Sequence, residues 1–119
     1  MNNRILAKEV AVGEKTYRLK KIDARSAMWL FTFLGGKSNG GSIISGLGAC
    51  TKSEFDEVTG LVLKPILCLD HGSDGQFEIP IMAANGNIVD ENLMDAGNLM
   101  ALTSEAIVFN LDPFLSGRE

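Results

Sequence analysis

The stretch from Val89 to Leu115 most constrains what this chain can fold into. Val89, Leu93, Ala96, Met100, Thr103 and Ile107 recur at steps of three and four, and Leu99, Leu102, Ala106 and Phe109 fill a second stripe beside them. The spacing predicts a long amphipathic helix whose apolar face is wider than a surface helix usually needs. Asp90 is positioned to cap its start. Pro113 lacks a backbone N–H and crowds the turn before it, so the helix should stop there and leave Phe114 and Leu115 beyond it. The stretch reads as a surface for packing against something, not as a reaction centre.

The composition of the 119 residues narrows the class. A chain of this length forms one domain, 1–119, that buries roughly two thirds of its unfolded surface, enough for a core without staples. Hydrophobic residues make up 45% of it and charged residues 22%, with a mean hydropathy of +0.11, so some apolar surface is available for a partner. The net charge of −4 and pI near 4.9 argue against nucleic acid or an anionic membrane as the main partner. Arg18, Lys20 and Lys21 form the only basic cluster, which alternation along a strand explains as a solvated face. Cys50 and Cys68 each sit among apolar residues and read as buried free thiols of a reducing compartment. Apolar runs such as Ala27–Leu34 fall far short of the ~20 residues of a membrane span. No secretion signal opens the chain, so the cytoplasm is the expected location.

Along the chain, Leu6 to Ile22 read as a β-hairpin turning at Gly13-Glu14-Lys15. Asp23 caps a helix over Ala24–Leu34, and residues 35–42, with four glycines, read as a flexible loop. Ile43–Ala49 suits one or two helical turns. Thr51 and Glu54 have the spacing of a capping box, and the helix they open should run to about Leu67 with Phe55, Val58, Leu61, Val62 and Ile66 inward, Pro65 kinking or ending it. Asp70 to Gly75 is rich in turn formers. A second short β-ribbon is expected around Gln76–Ile88, turning at Asn85-Gly86 and weakened by Pro80. The resulting expectation is α+β: a mainly helical single domain with an N-terminal β-hairpin and a long C-terminal amphipathic helix.

Few constellations carry chemistry. Gly36-Lys37-Ser38 imitates the end of a phosphate loop, but Phe31 stands where that loop needs its first glycine, and a helix precedes it instead of a strand. Asp70 to Gly75 resembles the start of a calcium loop with Gly72 and Ile81 at two ligand positions, so an ordinary turn is expected. His71 is the single histidine and cannot build a zinc site or a triad with the residues near it. Glu54, Asp56 and Glu57 lie where acids complement a helix dipole. No catalytic residue, metal or cofactor is expected. Trp29, Phe31 and Phe33 cannot all face one core, so Trp29 or Phe33 should reach a second surface, either a partner or the hairpin.

With these parts placed, their order resembles that of the tail assembly chaperones of long-tailed phages and prophages. Three runs carry the resemblance: Gly13 to Arg25, a short strand entering a capped first helix; Asn85 to Asp90, a turn before the last helix; and Glu105 to Leu115, an apolar helix running into Phe-Asn and then Pro-Phe. The resemblance implies a protein of the bacterial host cytoplasm that binds the tape measure protein, keeps it soluble and helps recruit tail tube protein subunits. The long Gly/Ser loop and the Pro80 region depart from the family's pattern. A structural tail or head–tail connector component that stays in the virion is the alternative, and homo-oligomerisation is compatible with both. Trp29, Phe33, Met94, Phe109 and Phe114 are the expected partner-binding residues, the competing reading being that Met94, Phe109 and Phe114 are buried in the monomer.

Overall fold

The computed structural model describes residues 7–72 and 75–115, and the side chains of His71, Gly72, Gln76 and Leu115 are outside the description. The readings made for Leu6, Ser73, Asp74, the calcium-like loop and the His71 and Leu115 side chains therefore fall outside the described residues. The fold is α+β. Strands β1 (Ala7–Val12) and β2 (Lys15–Lys20) lead into helix α1 (Ala24–Ser38), a 3-10 segment (Ile44–Ala49) and helix α2 (Lys52–Leu63). Strands β3 (Leu67–Gly72) and β4 (Gly75–Pro80) follow, then a second 3-10 segment (Glu91–Met94) and helix α3 (Ala96–Leu115). The four strands form one antiparallel sheet in the order β1-β2-β3-β4.

The N-terminal hairpin forms as its sequence predicts. Val12 pairs with Lys15, and Gly13 takes a φ of 61° at the first loop position, as a type II′ turn requires. Val10, Tyr17, Cys68 and Ile79 stand opposite one another on the face turned to the helices. Arg18 is on the other face, where it pairs with Glu9 at 2.9 Å and with Glu78. Asp23 caps α1 by accepting from the Ser26 amide at 3.0 Å. Thr51 and Glu54 close the reciprocal capping box of α2 at 3.1 and 2.9 Å.

Three expectations are corrected. First, Gly35–Ser38 is helix, not loop; α1 ends only at Asn39 and Gly40, whose φ angles of 52° and 91° make the left-handed exit. Tertiary contact outweighs the low helix propensity of the glycine pair. The Ile44–Ala49 segment lies so close to α1 that a Cβ on Gly46 would come within 2.6 Å of the Leu34 carbonyl oxygen, and Lys37 reaches Glu54 at 2.9 Å. Second, α2 stops at Leu63 and the residues beyond Pro65 become β3, which pairs with β4 from Leu67↔Pro80 to Gly72↔Gly75. Of the expected ribbon over Gln76–Ile88, the first strand forms as part of β4 but pairs with β3. The Asn85-Gly86 turn forms around the isolated bridge Met82↔Ile88, with the Ala83 and Val89 amides donating to the Asn87 and Ile81 carbonyls at 2.8 and 2.9 Å. Third, the C-terminal helix is two elements: Asp90 caps the 3-10 segment through the Asn92 amide at 2.9 Å, and Asp95 caps α3 through the Asn98 amide at 3.1 Å.

Helix α3 also runs through Pro113 to Leu115. The amide missing at Pro113 would have served the carbonyl of Phe109, one helical turn earlier. That carbonyl oxygen accepts instead from the Lys21 ammonium, which sits 4.2 Å from the centre of the Phe109 ring. The neighbouring Asn110 accepts the Ile22 amide at 2.7 Å and donates to the Ala106 carbonyl at 2.9 Å. Lys21 is thus a structural group and not part of a purely solvated basic face. Leu102, Ala106, Ile107, Phe109 and Leu111 join the buried core with Tyr17 and Leu19 of the sheet, Leu30 and Leu34 of α1 and Val58, Val62 and Leu63 of α2.

Two measurements check this arrangement. Lys21→Met should destabilise the protein by ~1–3 kcal/mol, the cost of an unserved buried carbonyl. In a Pro113→Ala background, where residue 113 regains an amide, urea unfolding should show the same change costing less by about 1 kcal/mol; equal costs would mean that Lys21 does not serve that carbonyl. For the α1 extension, Gly36→Ala meets nothing within 4 Å and should stabilise the chain by ~0.5–1 kcal/mol. Gly46→Ala should destabilise it, because the new Cβ meets backbone.

Candidate interaction surfaces

The expected partner-binding residues separate into three environments. Trp29 and Phe33, one helical turn apart on α1, stack with ring centroids 5.0 Å apart and planes 12° from parallel. Lys37 continues the row, 5.5 Å from the Phe33 ring centre. Phe33 is half-buried against the core, whereas Trp29 is 37% exposed and lines an open groove of ≈ 530 Å³ with Arg25, Ser26, Glu57 and Leu61. The groove lies between α1 and α2. The Lys37–Glu54 ion pair closes one end, and the Lys37 ammonium holds the Glu54 carboxyl below the usual carboxylate range.

Met94 and Phe114 belong elsewhere. Met94, 64% exposed, precedes the cap of α3, and Met100 in the second turn of that helix is 45% exposed. Phe114, 39% exposed, stacks on Phe31 of α1 at 4.7 Å, on the flank of α1 away from Trp29. Phe109 is corrected from a surface anchor to a core residue: it is 7% exposed and covered by Lys21. Sequence reasoning missed Arg25, Glu57 and Leu61 as groove residues. Only the approach of α1 to α2 brings them together, and no local spacing announces it. It also missed Phe77 and Ile79 as exposed apolar residues of the edge strand β4.

A polar cluster lies beneath the N-terminal hairpin. The Tyr17 hydroxyl accepts from the Asn92 amide nitrogen at 2.8 Å, and the same nitrogen donates to the Val12 carbonyl at 2.8 Å. Asn98 in turn donates to the Asn92 carbonyl at 2.9 Å. A Cβ on Gly13 would fall 2.7 Å from Asn92 Oδ1, so the turn and the cluster require each other. Burial, reinforced by Asp90, pushes the Tyr17 hydroxyl well above its ordinary pKa. Burial and then the Asp90 charge likewise raise the Cys68 thiol, which stays protonated at neutral pH and is a poor nucleophile. The cluster fastens the loop before α3 to the sheet.

Among the described residues, no group of three or more His, Cys, Asp or Glu side chains is placed to hold a metal ion, and no helix is long and apolar enough to cross a membrane. No protein family, curated protein or solved structure matches the chain.

The cluster makes stability depend on alkaline pH in a defined direction. A raised Tyr17 pKa means that its contribution is complete below about pH 10, the ordinary tyrosine value, and is lost as pH rises further. Tyr17→Phe should therefore be less stable than the wild type at neutral pH, with the gap narrowing above about pH 10. Urea midpoints measured across that range check it; a gap that widens would place the hydroxyl outside the buried network.

Proposed function

We propose that this chain is a tail assembly chaperone of a long-tailed phage or prophage, which binds the tape measure protein, keeps it soluble and helps recruit tail tube subunits. The observation that carries the reading is the way α3 divides its apolar residues. One side is locked into the core through Leu102, Ala106, Ile107 and Leu111, while Met94, Met100, Val108 and Phe114 remain exposed along the same helix and its approach. Unbranched thioethers adapt to irregular apolar partners, which suits a protein that must cover varied helical stripes on one long chain. The three sequence runs that resemble the chaperone family support the same reading. The negative net charge keeps the exposed methionines from driving self-precipitation.

Co-expression with the tape measure protein tests it. The wild-type chain should hold the tape measure protein in the supernatant as a complex, and a Met94→Asp/Met100→Asp variant should lose that complex while melting within a few degrees of the wild type. A variant that binds as well as the wild type would remove α3 from the contact. Finding the chain in purified virions by mass spectrometry would instead mark a structural tail or connector component.

A further inference from the structure

The α1–α2 groove is chemically self-complementary, and we infer that it is a homodimer interface in which Arg25 of each copy faces Glu57 of the other across a centre of Trp29 and Leu61. The inference does not depend on the chaperone reading and leaves Met94 and Met100 outside the contact.

The two helices run antiparallel, since Lys37 near the end of α1 meets Glu54 at the start of α2. At a rise of about 1.5 Å per residue, Arg25 lies about 18 Å from that closed end and Glu57 about 4.5 Å from it. Trp29 and Leu61 lie at about 12 and 10 Å, midway between the two charges. Arg25 and Glu57 are on opposite walls, both exposed, and neither has an ion-pair partner among the described residues. A two-fold axis in the plane of the interface, passing between Trp29 and Leu61, carries each charge onto its opposite. An isologous contact requires this property: the same patch must satisfy itself. The half-exposed indole on the α1 lip is the knob, and the groove of the other copy is the hole. A central tryptophan ringed by charged groups is also the composition of interface hot spots. An unrelated partner would need to carry the same acid–apolar–base pattern by chance, whereas a second copy carries it by symmetry.

Sedimentation equilibrium on the full chain tests the inference. Wild type should dimerise, and more weakly as salt is raised. R25E sets two carboxylates against each other across the contact, and E57R sets two guanidinium groups together, so each variant should weaken self-association by at least about tenfold. Mixing the two variants should restore a dimer, because each then supplies the charge the other lacks, and the doubly swapped R25E/E57R chain should dimerise alone. Both side chains are exposed and unpaired, so thermal melts should coincide with the wild type. A wild-type chain that stays monomeric up to millimolar concentration overturns the inference. So does a dimer indifferent to the single swaps, which would place the contact elsewhere, or a mixture that fails to recover association.

Discussion

The carbonyl oxygen of Phe109 is where two segments 88 positions apart in the chain are joined, and the rest of the structure depends on that join. A proline at position 113 would ordinarily leave this oxygen without a donor inside a covered helix turn, a cost of ~1–3 kcal/mol. The ammonium of Lys21 fills the gap from the residue that leaves β2, and Asn110 takes the next amide, that of Ile22. The strand-to-helix connection is thereby fixed to the last turns of α3. With it the direction of α1 is set, because Asp23 caps that helix immediately after the tethered pair. A residue that would break a helix in isolation becomes the reason two distant segments meet.

That join puts α3 at the centre of the molecule. It touches β1 and β2 on one side and α1 and α2 on the other. A helix covered on two sides needs a wider apolar face than one lying on a surface, and this accounts for most of the width seen between Leu99 and Leu111. What the core leaves over is smaller and differently placed: the methionines flanking the start of α3 and the Phe114 ring resting on Phe31. Met94, Met100 and Phe114 lie towards the two ends of the helix, and Val108 is exposed along its length on the side the core leaves free.

The α1–α2 groove follows from the same packing. Both helices lean on α3, and their direct tie at the rim is the Lys37–Glu54 ion pair at the closed end. Such a pair in water contributes little stability by itself. Its consequence is geometric, since it ties the two helices at one end of a groove in which Trp29 and Leu61 lie between Glu57, nearer the ion pair, and Arg25, farther from it. Elsewhere in the fold, Asn92 donates to the Val12 carbonyl beside the Gly13 turn and Asn98 donates to the Asn92 carbonyl, which ties the loop before α3 to the hairpin.

Local chemistry was legible in the residues themselves. The Gly13 turn, the Asp23 cap, the Thr51–Glu54 box and the helical stripe of α3 each rest on interactions spanning at most a few positions, and each is formed. So the α+β class, the N-terminal hairpin and the long last helix could be read from the sequence alone. The extension of α1 through Gly35 and Gly36 could not, because its support comes from the 3-10 segment and from Glu54. Strand β3 was hidden because a short apolar run after a helix has no period of its own until β2 and β4 flank it. Passage through Pro113 needed a lysine 92 positions away. Of the candidate surface residues, the pattern indicated that Trp29 or Phe33 must leave the core, but Phe109 was misplaced and Arg25, Glu57 and Leu61 were not seen. Sequence alone decided the elements whose hydrogen bonds are local. Tertiary structure decided every element whose unsatisfied group, strand neighbour or uncovered face is completed by a residue far along the chain, since only folding brings such groups within reach.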